Sequence, residues 1–285
     1  ATSPPALLLD GRLDRPGPSH VLVSVPRAGV CHIDSLFMTG DLPITLPGVL
    51  GHEGAGVVEE VGENVSAVKP GDHVVLLFRA SCGRCAFCQR GTPALCAMGG
   101  QLRNSGFLLD GTSRLHRPGG VLHHFLGVSC FAERTVVPEQ GVVKIKPEVP
   151  FEVAALVGCA VMTGIGAVTN TAKVEPGSSV LVIGAGGVGL NVVIGAQLAG
   201  ANQIIVADLL DSKLELARPF GATHVIKARE QDVVAGVREL TRGCGQDYRL
   251  TGRWSPATIA DLLPDGPARH SRTPRGTPTA RDPRI

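Results

Sequence analysis

Four cysteines, Cys82, Cys85, Cys88 and Cys96, stand in the stretch CGRCAFCQRGTPALC at the spacing C-x2-C-x2-C-x7-C. Two-residue gaps let successive thiolates turn toward one point, and the longer loop brings the fourth around to close a tetrahedron. Four thiolates leave a zinc ion no open position, so such a site organises backbone and performs no substrate chemistry. An iron–sulfur cluster is the competing occupant. The bacterial ferredoxin run has a three-residue last gap followed by proline, whereas this chain has seven residues there and Ala97 after the last cysteine.

Substrate chemistry therefore falls to the other cysteines. GVCHID places Cys31 at the end of a Val-rich strand, GVLGHEGAGVV brings His52 and Glu53 into a Gly-rich turn, and ALVGCAVMTG puts Cys159 on a helical stretch. Two thiolates and one imidazole would make a three-ligand zinc site whose fourth position admits water or a substrate oxygen. Taken singly, each cysteine reads equally as a small core hydrophobe. Cys130 and Cys244 lack such a setting, and His73, His116, His123 and His124 read as loop or surface residues.

A third motif concerns phosphate. VLVIGAGGVG carries Gly184, Gly186, Gly187, Val188 and Gly189 between a hydrophobic strand and an apolar-periodic helix. Glycines in that setting permit a tight turn and close approach of a pyrophosphate to the helix N-terminus. Asp208 follows at the end of QIIVAD. A carboxylate there accepts hydrogen bonds from an adenosine ribose and repels a 2′-phosphate, so NAD is expected over NADP.

These residues need a scaffold, and its pattern changes midway. Short Val-rich runs at 21–30, 55–61, 73–78, 132–137 and 141–145, bounded by Gly and Pro, read as strands of a β-rich first domain over residues 1–150. From 151 the spacing turns helical, and SSVLVIGAGGVGLNVVIGAQLAGANQIIVAD is a βαβ unit of a parallel sheet. A helix at about 211–219, the strand THVI and a helix at about 230–241 continue it. The chain is thus an α/β protein of two domains.

The 285 residues are 44% hydrophobic and 18% charged, a soluble and globular balance, and the net charge of +2 points to neither nucleic acid nor an anionic membrane as partner. No apolar run is expected to reach the roughly 18–20 residues that span a bilayer, and no signal-peptide pattern opens the chain. A cytoplasmic location follows, where eight cysteines argue for metal or catalytic work over disulfides. Residues 248–285 break the pattern: seven Arg and six Pro in 38 residues, with no sustained apolar period, predict a disordered tail. A chain starting at Ala1 also reads as a piece of a longer one.

The motifs GVCHID, PGVLGHEGAGVVEEVGENV, KPGDHVV, the cysteine lobe, DGTSRLHRPGG, HHFLGVSCFAERTVV and GCAVMTGIGAVTNTAKV, with GAGGVG, resemble the zinc-dependent medium-chain alcohol dehydrogenases over about residues 18–247. The resemblance implies a GroES-like catalytic domain at 1–150 with a structural-zinc lobe at 82–96. It also implies a partial Rossmann doubly wound parallel sheet at 151–247 that binds NAD. It places a catalytic zinc on Cys31, His52 and Cys159 with Glu53 beside it, a second zinc on the lobe, and Asp34 behind a ligand. It puts Lys213 near the adenosine ribose, Thr163 at the nicotinamide and His32 at the pyrophosphate. The implied activity is oxidation of an alcohol by hydride transfer to NAD. Thiol-adduct formaldehyde dehydrogenase is a close variant, and an inactive zinc- or nucleotide-binding product is the alternative from a different class. Family members are homodimers or homotetramers, an assembly in doubt here because family chains continue beyond residue 247 in sequence this chain lacks. A shifted reading frame after GCGQDY is the expected origin of the tail.

The family's usual Ser or Thr two residues after the first ligand cysteine, and the frequent His at five, relay a proton toward solvent. Here those positions hold Ile33 and Leu36, which pass no proton. Slow turnover is expected, with a pH–rate profile lacking the relay ionisation. Ile33→Thr is expected to raise the rate and introduce that ionisation, measured as NADH formation across pH; an unchanged rate and profile would contradict the assignment.

Overall fold

A computed structural model describes residues 10–252 and 270–271. The chain divides into two compact units, Ala1–Cys159 and Ala160–Ile285.

The first unit is built on a five-stranded antiparallel sheet. Its order is Arg134–Pro138, His20–Gly29, Glu53–Val61, His73–Leu76, Val142–Lys144. Val21, Val23, Val58, Val74 and Val137 converge from these strands on one core with Val128 and Cys130. β-branched residues suit this pleated surface, where alternate side chains share one face. A smaller sheet joins Arg12–Leu13, Leu115–Arg117, Gly120–His124 and Gly48–Val49. His73, His116 and His123 thus lie in strands rather than loops, as does His124, which is buried. Sheet hydrogen bonding and the ring of Phe151, 4.7 Å from His73, hold them where composition alone suggested surface.

The second unit is a parallel sheet with strand order third, second, first, fourth, fifth: His224–Lys227, Gln203–Asp208, Ser179–Ile183, Tyr248–Thr251, His270–Ser271. Helices Gly187–Leu198, Asp211–Ala217 and Val233–Leu240 alternate with the strands. Val180, Val182, Ile204 and Val206 bury one face with Val192 and Val193, while Leu181, Ile205 and Ala207 bury the other with Ile226 and Val237. Burial on both faces explains why these strands read as continuous apolar runs.

Two expectations fail here. Tyr248–Thr251, the first residues of the expected disordered tail, form a strand paired in parallel with Ser179–Ile183, and Tyr248 and Leu250 are in the core. The Arg- and Pro-rich composition downstream hid a four-residue alternation whose apolar positions the sheet needs. The remainder of the expected tail, apart from Gly252 and residues 270–271, lies outside the described residues. The second failure concerns Phe151–Ala172, a helical run of 22 residues with a hydropathy of 1.9, which is long and apolar enough by length and composition to cross a membrane. Interspersed Gly, Thr and Asn disguised its length in the sequence. A core helix can be equally long and apolar, and Ala154, Ala155, Cys159, Gly164, Ala167 and Val168 of this run are buried in the fold.

If Tyr248–Thr251 is structural, Leu250→Ala should lower unfolding free energy by about 2–5 kcal/mol, the cost of truncating a buried leucine. Urea unfolding reads this directly; a midpoint equal to that of the parent would place Leu250 outside the core.

Candidate metal centres and dinucleotide turn

In the lobe, Cys85 caps the short helix Ala86–Gln89 and Cys96 caps Ala97–Ser105, so both sulfurs stand where helical N–H groups are unsatisfied. The N–H of Cys82 donates to Cys96 Sγ and that of Cys85 to Cys82 Sγ, each at 3.3 Å. Cys85 Sγ lies 3.6 Å from Cys88 Sγ and 3.9 Å from Cys96 Sγ. Tetrahedral zinc with Zn–S bonds of about 2.3 Å requires sulfurs about 3.8 Å apart, so the set fits one ion. A cluster would spread its thiolates over several irons, whereas these four sulfurs all lie within 4.8 Å of one another. None of the eight cysteines is in a disulfide. The thiols hold their protons unequally. The Cys88 backbone N–H draws Cys85 down to about 6, and burial pushes Cys88 up to about 11.

The second set is assembled from three distant segments. Cys31 is the cap of the helix His32–Met38, His52 and Glu53 flank the start of the strand Glu53–Val61, and Cys159 lies in a wide π-helical turn, Val157–Val161. Such turns are frequent at functional sites. One donor atom from each of Cys31, His52, Glu53 and Cys159 falls within 4.8 Å of the others. Asp34, 1% exposed, organises the group. Its Oδ2 accepts from the Cys31 N–H at 3.1 Å, and its Oδ1 meets His52 Nδ1 at 3.1 Å and the Gly51 N–H at 3.3 Å. Engaging Nδ1 leaves Nε2 for the donor set. The rings of Phe78 and Phe125, 5.3 and 5.9 Å from that of His52, wall the imidazole.

Proton affinities in this set split in opposite directions. A hydrogen bond from the Cys159 thiol brings Cys31 down to about 4, and Cys159 is raised as the partner that keeps its proton. Burial, followed by the charge on Cys31, raises Glu53. Burial pulls His52 down, but Asp34 and Cys31 outweigh it and push the imidazole up to about 9. Two thiols and a carboxylate this close can all shed their protons only beside a compensating cation. The donor chemistry therefore fits zinc.

In the second unit, Gly184 has φ +89° and a Cβ on Gly189 would overlap the Gly184 carbonyl oxygen. Gly186 caps the helix Gly187–Leu198 without any side-chain bond, and a Cβ there would meet nothing within 4 Å. The N–H groups of Gly187, Val188 and Gly189 thus open the helix at an uncrowded turn suited to a phosphate. Asp208 Oδ2 accepts from the Ala185 N–H at 2.8 Å and Oδ1 from the Leu210 N–H at 3.0 Å.

Other expected residues sit apart from these groups. His32 is exposed at the helix start and adds no donor to the metal set. Ile33 and Leu36 are half-buried on the same helix, Lys213 is half-buried on Asp211–Ala217, and Thr163 is half-buried on Met162–Gly166. Cys130 is buried in the valine core and Cys244 is exposed. Two residues went unnoticed in the sequence. Gly29 stands directly across the sheet from Glu53, and a Cβ on Gly252 would lie 2.8–3.0 Å from Gly189 and the Gly184 oxygen. Neither carries a local signal, since register and strand pairing create both contacts.

Residues 17–147 match the model of the alcohol dehydrogenase GroES-like domain, and residues 187–263 match that of the zinc-binding dehydrogenases. The second match runs past residue 247, where the resemblance was expected to stop, and so includes the strand Tyr248–Thr251. An S-(hydroxymethyl)glutathione dehydrogenase of Escherichia coli O1:K1 is 50% identical over 218 residues, 76% of this chain and 59% of that protein. The chain thus spans about three-fifths of the length of such relatives. Among solved structures, an alcohol dehydrogenase zinc-binding domain protein from Burkholderia ambifaria superposes with a TM-score of 0.83 at 42% identity, covering 88% of this chain and 68% of that one. Benzyl alcohol dehydrogenase from Acinetobacter calcoaceticus gives 0.82 at 38% identity with the same coverage. With two donor sets, a dinucleotide turn and these relatives, the chain belongs to the zinc-dependent medium-chain alcohol dehydrogenase family.

Proposed function

We propose that the chain carries the zinc and NAD machinery of an alcohol dehydrogenase, with the zinc-binding part at 1–150 and the nucleotide-binding part from 151 onward. The observation that carries this reading is the convergence of Cys31, His52, Glu53 and Cys159 donors within 4.8 Å. Held by Cys31, His52 and Cys159, zinc would supply Lewis-acid polarisation of an alcohol oxygen, with NAD at the glycine turn as hydride acceptor.

The protein's own residues orient and exclude. Asp34 fixes the His52 ring so that Nε2 is the donor, and Phe78 and Phe125 keep water from that ring. Helix N–H groups at Gly187, Val188 and Gly189 would receive the pyrophosphate, with His32 a further contact. Asp208 would receive the ribose hydroxyls beside Lys213, selecting NAD over NADP. Thr163 would position the nicotinamide. The lobe cysteines would hold a second, structural zinc. Free thiols throughout support a cytoplasmic location, and the small-molecule partner would be an alcohol or aldehyde. A homodimer or homotetramer is the assembly this family membership suggests.

The 50% identity to an S-(hydroxymethyl)glutathione dehydrogenase favours a second reading, in which the alcohol is a hydroxymethyl–thiol adduct. Comparing NADH formation with benzyl alcohol, ethanol and such adducts separates the two.

Metal analysis tests the common core. The purified chain is expected to hold two zinc ions, and Cys159→Ala to hold one while losing NADH formation. A single ion in both proteins would refute the second site.

A further inference from the structure

Glu53 does not reach the donor set unaided. Gly29 and Glu53 are direct partners across the antiparallel strands His20–Gly29 and Glu53–Val61, and side chains at such positions stand on one face of the sheet. A Cβ on Gly29 would overlap Glu53 Oε2 and lie 3.2 Å from Glu53 Cβ and 3.0 Å from Leu156 Cδ2. The carboxylate therefore occupies the space that any other residue at 29 would fill, and Leu156 Cδ2 bounds the same space. Glycine is not needed there for the backbone, since Gly29 lies in a strand and its φ is not positive. Room is the requirement.

We propose that Gly29 is a positioning residue for Glu53: its missing side chain is the slot that holds the carboxylate beside Cys31, His52 and Cys159. The inference rests on the metal reading above and adds a determinant of that centre outside its donors. The one overlapping atom is the far end of a flexible side chain, so a methyl group at 29 is accommodated chiefly by moving the carboxylate, with a small give at Leu156 and at Glu53 Cβ. Displacing a group beside a metal centre typically changes metal affinity by about 10–100-fold.

Cobalt(II) titration of the intact chain, followed by its visible bands, provides the test together with Gly29→Ala, Glu53→Ala and the double variant. Gly29→Ala is expected to alter the band envelope and to change cobalt affinity by about 10–100-fold. In the Glu53→Ala background, the same substitution is expected to have a much smaller effect on both, since only the contacts with the Cβ at 53 and with Leu156 remain. A wild-type spectrum for Gly29→Ala, or an undiminished effect without the carboxylate, would overturn the proposal. If Gly29→Ala alone does not fold, the double variant is expected to fold, and its failure would also overturn it. Identical cobalt spectra for wild type and Cys159→Ala would overturn the metal reading itself, and this inference with it.

Discussion

The buried carboxylate of Asp34 ties together two segments that are separate in sequence. It accepts the N–H that opens the helix at Cys31, the N–H of Gly51 and the Nδ1 side of His52, at 3.1, 3.3 and 3.1 Å. Helix start and strand start are thereby fixed against each other, and with them one sulfur and one ring nitrogen. A buried anion is tolerated only when hydrogen bonds satisfy it, so this one resists displacement. Glu53 and Cys159 then complete a donor set whose protons are shared unequally, a state that a divalent cation resolves. The lobe is different in kind. It draws its four sulfurs from one short segment and closes on itself, as a site that shapes backbone should.

That difference governs what the sequence discloses. Lobe spacing is local, so Cys82, Cys85, Cys88 and Cys96 could be read as one tetrahedral set from the text alone. Cys31, His52 and Cys159 could not, because their convergence depends on antiparallel register and on a π turn that no spacing rule encodes. Residue types alone made them a candidate trio, and the resemblance of the surrounding motifs assigned them to one zinc. Gly29 shows the same limit more sharply: its relation to Glu53 exists only in the pairing of two strands. The glycine turn was legible because strand, turn and helix are contiguous. Its support by Gly252 was not, since a composition shift concealed the strand Tyr248–Thr251 that leads into it.

The two units express different physical economies. In the parallel sheet both faces are dry, so strand residues run apolar and even a short segment such as Tyr248–Thr251 is drawn in by Tyr248 and Leu250. In the first unit, one face of the antiparallel sheet builds a valine core, while Glu53 extends from a strand start toward the donor atoms of Cys31, His52 and Cys159. A ligand set next to such a core is held by packing as well as by hydrogen bonds, which is how preorganised metal centres keep their geometry.

Zinc K-edge X-ray absorption of the metal-loaded chain addresses the central claim most directly. Six thiolates shared between two ions give an average of three sulfurs per zinc, with the remaining ligands nitrogen or oxygen. The account predicts scattering from about three sulfurs near 2.3 Å and about one lighter ligand at roughly 2.0–2.2 Å. A pure four-sulfur shell would mean that only the lobe binds metal, and that Cys31, His52 and Cys159 do not form a site.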